Sequence, residues 1–271
     1  MAHCVRDPGR LRALATAIRS KELSPSDLVQ QYLERIDDVQ PIAHPWRVVD
    51  VEGALKVAAE RTAQAKRGEI LGPLHGIPLG VKDIIDVAGL PTRCNCEALQ
   101  DSPPAAADAE VVLSLKASGA IVMGKTHTTE FALFDPSPAC NPHNTDHTPG
   151  GSSSGSGAAV ASGTVPMALG TQTLASVNRP AAYCGISAFK PSTRSMSSFG
   201  VAPLAPSFDT IGFYGWTVDD AVFAYEAAVA HVHTSVPNLD DIINSRIIII
   251  DDPLIADCGA DFRDASVLDS Q

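Results

Sequence analysis

The stretch that most constrains this chain runs from residue 150 to residue 190, GGSSSGSGAAVASGTVPMALGTQTLASVNRPAAYCGISAFK. It opens on Gly150-Gly151, passes through Ser152-Ser153-Ser154 and many small residues, and reaches Ser176 followed by Arg179-Pro180. Glycine supplies φ/ψ values that other residues avoid and lets backbones approach closely. Serine hydroxyls supply hydrogen bonds or a nucleophile. The segment reads either as a serine-rich catalytic floor or as a loop that cradles an anion.

The rest of the composition narrows the classes. Hydrophobic residues make up 45% of 271, enough for a sizeable core, while aromatics are only 5%. Such small-residue usage suits close packing of helices on a sheet. Lys and Arg number 20 against 31 Asp and Glu, a net charge of −11. That balance argues against nucleic-acid and anionic-membrane partners, which need a basic footprint. Six cysteines (Cys4, Cys94, Cys96, Cys140, Cys184, Cys258) lack a framework spacing. With no apolar leader in MAHCVRDPGR and no run of transmembrane length, free thiols in the cytoplasm are expected.

The chain reads as alternating helices and short apolar strands. Residues 8–20 form a helix with Leu11, Leu14, Ala15 and Ile18 on one face. Ser24-Pro25-Ser26-Asp27 is a helix start, and Leu28, Tyr32, Leu33, Ile36 and Val39 follow as its apolar stripe. A further helix spans 51–66 and stops near Gly68. Strands are expected near 77–81 and at 120–123, and helices at 108–119, 158–162 and 219–230. A strand at 246–250 and a disordered acidic tail close the chain. No linker or repeat breaks the sequence, so one domain is expected over 1–271.

Four local patterns carry possible chemistry. In GIPLGVKD the apolar run delivers Lys82 either to the interior, where burial lowers its pKa and makes it a candidate base, or to a strand end in solvent. Cys94-Asn95-Cys96 has no second cysteine pair, so it is not a zinc site, and no metal is expected. Residues 119–126 match G-x-x-x-x-G-K-[ST] formally. The middle of that match is apolar and β-branched, hence itself a strand, so a phosphate loop is rejected. His143 and His147 lie in a turn-rich polar loop with Asp146 nearby and Asp135 a few residues upstream, where solvated histidines are the simpler reading than a Ser-His-Asp triad.

GGSSSGSGAAVASG, VPMALGTQT and S-x-x-RPAAYCG together resemble the signature of the amidase signature family of serine hydrolases, over residues 24–225. The resemblance implies an α/β fold with a mixed sheet sandwiched between helices. It implies an amide hydrolase with a Ser–cis-Ser–Lys triad that needs no cofactor. The family's nucleophile falls on Ser176, its bridging serine on Ser152 and its lysine on Lys82. Ser153 supports the triad, and the backbone N–H groups of Thr173, Leu174, Ala175 and Ser176 form the oxyanion hole. Arg179 matches a position that grips a substrate carboxylate in some members, or else makes a structural ion pair. GKTHTTEFA resembles a segment that lines the site.

The implied activity is cleavage of a small carboxamide or ureido compound through an acyl-serine intermediate. The alternative is an impaired homologue, or a protein like the A-subunit of an amidotransferase; either reading admits a homodimer or a partner subunit. Two departures bear on this. Leu174-Ala175 stands where the family has Gly-Gly, so strain at positive φ, or a leucine in the acyl pocket, is expected. The family's C-terminal portion has no counterpart, so an exposed sheet edge is expected after it.

Overall fold

The computed structural model describes residues 4–229, which lie in one compact unit, Met1–Val232. A second unit, His233–Gln271, the strand expected at 246–250 and the acidic tail lie outside the described residues.

The N-terminal helices form where their caps and stripes place them. Helix α1 (Leu11–Arg19) buries Leu11, Ala15 and Ile18. Helix α2 (Pro25–Ala43) starts at Ser24, whose hydroxyl accepts from Asp27 N–H at 3.1 Å. It buries Leu28, Tyr32, Leu33, Ile36 and Val39, the expected stripe. Strand β1 (Trp46–Val49) follows, and helix α3 (Val51–Arg67) ends at Gly68, whose φ of 82° is the left-handed stop that glycine adopts freely.

The centre is strand β2 (Pro78–Lys82), buried at every position. Helix α4 (Glu110–Ala117) leads to strand β3 (Ile121–Thr126), and helix α5 (Ser154–Ala161) leads to strand β4 (Met167–Gln172). Helix α6 (Asn178–Cys184), strand β5 (Ser187–Phe189), strand β6 (Thr210–Gly215) and helix α7 (Val218–Ala228) complete the described chain. The six strands form one mixed sheet in the order β1-β3-β2-β4-β6-β5. β2 runs parallel to β3 and β4, and the outer pairings are antiparallel.

Helices cover both faces. Phe213 of β6 meets the Tyr225 ring of α7 edge-on at 5.7 Å, while its neighbour Tyr214 points to the opposite face and bonds the carbonyls of Ser176 and Val177. Helix α5 lies on that second face. Its Ser156 hydroxyl bonds Thr126 Oγ1 at 2.7 Å and Leu169 O at 2.8 Å, which pins the helix across β3 and β4.

The strands β3, β2 and β4 are parallel, so Thr126, Lys82 and Gln172 all sit at carboxyl ends on one edge of the sheet. In open α/β sheets that edge is where ligands bind. β3 is longer than the expected 120–123, and α5 begins four residues before the expected 158. Among the described residues no helix is long and apolar enough to cross a membrane.

Candidate active site

Lys82 is fully buried at the end of β2. Its amine donates to Ser152 Oγ and to Thr171 Oγ1, each at 2.8 Å, and pairs with no carboxylate among the described residues. Burial pushes its pKa down to about 7, opposed by the charge of Asp209 and by Cys94. The neighbouring strand β3 carries a second buried lysine in a contrasting setting. Lys125 lies 3.0 Å from Asp83 Oδ1, both wholly out of solvent. Burial pushes both members of this pair toward neutrality, and each draws the other back toward its charge. Strand alternation separates the two lysines. Lys125 is registered with Val81 and Thr126 with Lys82, so the ion pair and the free amine occupy opposite faces of the sheet.

Ser152 and Ser153 approach Lys82 from the loop before α5. The Gly151–Ser152 peptide bond is cis, and both serines are completely buried. Ser153 Oγ donates to the Thr171 carbonyl and accepts from the Thr171 N–H, both at 3.2 Å. It thereby fixes the residue whose hydroxyl contacts Lys82. Gly170 leaves room for this clamp, because a Cβ there would lie 2.8 Å from Ser153 Oγ.

Ser176 sits beside this pair in a turn between β4 and α6. Its carbonyl accepts from Ser153 N–H and from the Tyr214 hydroxyl, each at 3.3 Å. Its own hydroxyl makes no hydrogen bond to a described residue, so Lys82 and Ser152 are joined while Ser176 is tied to the neighbouring Ser153 through its backbone. The N–H groups of Thr173, Leu174, Ala175 and Ser176 likewise donate to no described residue. Neither Leu174 nor Ala175 has a positive φ, so the strain expected at these positions does not arise. Leu174 is 79% exposed and turns outward rather than into an acyl pocket.

Arg179 donates from Nε to the Gly151 carbonyl at 2.8 Å. It lines a cavity of about 200 Å³ with Phe134, Ser137, Thr148 and Tyr183. No carboxylate among the described residues pairs with it, in contrast to the structural ion-pair reading. The histidines lie elsewhere. His143 bonds the Cys184 carbonyl at the far end of α6, and His147 is exposed.

Sequence reasoning missed Thr171, Gln172, Asp209 and the Asp83–Lys125 pair. Gln172 Oε1 accepts from Val177 N–H and Asn178 N–H, and Asp209 accepts the Thr173 hydroxyl. The only signal for the ion pair was position: Asp83 directly follows Lys82, and Lys125 belongs to the rejected phosphate-loop match. Cys94 and Asn95 have φ of 52° and 53°, and the two thiols of that loop are free.

The site thus gathers a buried amine touching a serine, a second serine close by and a run of amides with no described partner, at the carboxyl edge of an α/β sheet. The Amidase family model matches residues 27–244, and the chain belongs to the amidase family. It is 36% identical over 233 residues to the A-subunit of glutamyl-tRNA(Gln) amidotransferase from Acidothermus cellulolyticus, covering 84% of this chain and 46% of that protein. The Geobacillus kaustophilus protein of the same name is 39% identical over 220 residues, covering 79% and 45%. Among solved structures, the native peptide amidase of Stenotrophomonas maltophilia superposes with a TM-score of 0.76 at 33% identity, covering 84% of this chain and 51% of that one. The chain therefore spans about half the length of the relatives it matches.

Proposed function

We propose that this site cleaves the C–N bond of a small carboxamide or ureido compound through an acyl-serine intermediate. The observation that carries the reading is the Lys82 amine: wholly buried, 2.8 Å from Ser152 Oγ and paired with no carboxylate among the described residues. A pKa near 7 leaves much of it neutral at physiological pH and able to accept a proton.

Ser176 Oγ attacks the amide carbonyl as its proton passes to Ser152, whose own proton passes to Lys82. The free N–H groups of 173–176 receive the developing oxyanion, and such donors are each worth about 2.7–4 kcal/mol in the transition state. The proton returns through Ser152 to the leaving nitrogen, whose bond to the carbonyl carbon breaks. Water then attacks the acyl-enzyme by the same relay and releases the acid. Ser176 and Ser152 share no hydrogen bond in the free protein, and catalytic hydrogen bonds are commonly long until substrate arrives. Arg179, with no carboxylate of its own, offers its guanidinium to a carboxylate on the substrate.

The test is labelling of the full chain with a fluorophosphonate, followed by peptide mass spectrometry. The adduct is expected on Ser176 and absent from Ser176→Ala; an adduct on another residue removes Ser176 from the role. A hydrolysis screen over carboxylate-bearing and neutral amides, run with Arg179→Met, then reads the substrate class.

A second reading is favoured by the relatives' names: a chain resembling the A-subunit of an amidotransferase, working with partner chains. Purification from the native host distinguishes the two. Stoichiometric partner chains support the second reading, and a lone chain that hydrolyses amides excludes it.

A further inference from the structure

The turn that carries Ser176 is built from residues with little intrinsic reason to hold one shape. Four consecutive amides, from Thr173 to Ser176, donate to no described residue, and the two side chains at its crest, Leu174 and Ala175, are exposed. Something outside the turn must hold it. Its entry is tied by the Thr173 hydroxyl, which donates to Asp209 Oδ1, while Asp209 Oδ2 accepts from the N–H groups of Leu204 and Ala205 at 2.8 and 2.9 Å. Its exit is tied by one side chain from the last residue of β4. Gln172 is 5% exposed, and its Oε1 accepts from Val177 N–H at 2.8 Å and from Asn178 N–H at 2.9 Å. Only a carbonyl oxygen can accept both bonds, so the orientation of that amide is fixed by its partners.

The two amides that Gln172 takes are those immediately after Ser176. They are also among the first N–H groups of α6, which have no partner within the helix. Were they free, the turn could relax toward them, and the amides of 173–176 would no longer be held in place. Oxyanion stabilisation depends on donors fixed in advance of the charge they meet.

We infer that Gln172 is the positioning residue of this site. Its side chain staples the sheet to the start of α6 and so aims the amides of 173–176 and the hydroxyl of Ser176. Gln172 touches no reacting atom in this scheme. The inference rests on the amide-hydrolysis reading for its consequence, but the staple itself can be measured without turnover.

Three forms of the full chain test it: wild type, Gln172→Met, which removes the acceptor at similar size, and Gln172→Glu, which keeps an acceptor for both amides. Amide hydrogen exchange at Val177 and Asn178 reads the staple directly. Protection is expected in wild type and in Gln172→Glu, with exchange at least about tenfold faster in Gln172→Met. The maximal rate of fluorophosphonate labelling at Ser176 reads the consequence. A misplacement near 1 Å costs about 100-fold in rate, so Gln172→Met is expected to fall by that order with unchanged half-saturation. Gln172→Glu is expected to recover most of the loss. Equal exchange in wild type and Gln172→Met overturns the inference, as does equal labelling, or a Gln172→Glu protein as slow as Gln172→Met. A wild-type chain that shows the exchange pattern yet never labels at Ser176 overturns the catalytic reading instead, and with it the positioning role, leaving only the staple.

Discussion

At the scale of single residues, two lysines on neighbouring strands show how environment decides chemistry. Burial lowers the pKa of Lys125 while the charge of Asp83 opposes it, whereas Lys82 hydrogen-bonds only to hydroxyls. The pKa of Lys82 is about 7 in the fold against 10.5 in a free chain. Between those values the unfolded chain binds a proton that the folded chain does not. Stability from this group therefore rises with pH across that window, and the full cost of burial is felt below pH 7. Lys82→Met removes the titration. Thermal melts at pH 6.5 and pH 9 should show wild type gaining on the variant as pH rises; parallel shifts in the two proteins would mean that Lys82 titrates normally. Lys82, Ser152 and Ser176 were legible because each sits in a long local motif. Thr171, Gln172 and Asp209 were not, because their partners come from strand register and loop closure, which no local pattern encodes.

At the scale of elements, legibility followed periodicity. Helices α1, α2 and α3 carry 3.6-residue stripes, a serine cap and a glycine stop, and they form where those signals lie. Strands β4 and β6, MALGTQ and TIGFYG, have glycine in place of alternation, and both are buried throughout, so period two is absent. The expected start of α5 falls late because its first turn is serine and glycine, poor helix formers on their own. Packing overrides that preference, since every residue of α5 is buried. The small residues are a steric requirement. A Cβ on Gly155 would lie 2.3 Å from His127 N and from Pro45 O, both backbone atoms that cannot swing aside. Gly155→Ala should cost about 1–3 kcal/mol or more by overpacking. Urea denaturation measures it, and an unchanged midpoint would show that α5 shifts freely over the sheet.

At the scale of the whole molecule, the mixed sheet between helices follows the expected architecture, and the chain covers about half of each relative it matches. Large apolar side chains stay open to solvent beside the site, with Phe134 at 82% and Leu174 at 79% exposed. The acid limit of the fold has an identifiable contributor. Burial, with Arg47 and His44 adding to it, pushes the pKa of His127 from 6.5 to about 4, and its Nδ1 has no hydrogen-bond partner. The unfolded chain takes up that proton first, so stability is lost as pH falls from about 6.5 toward 4. His127→Gln should flatten the decline over that range in a pH series of melts, while an equally steep decline would assign the acid limb to other groups.

The central claim is that an uncharged lysine, reached through one serine, activates another. The rate of fluorophosphonate labelling at Ser176 across pH 5.5 to 9 tests it most directly. The account predicts a rate that climbs through a midpoint near pH 7, levels off above it, and vanishes in Lys82→Met while that variant stays folded. A pH-independent rate, or a Lys82→Met protein that labels as fast as wild type, would contradict it.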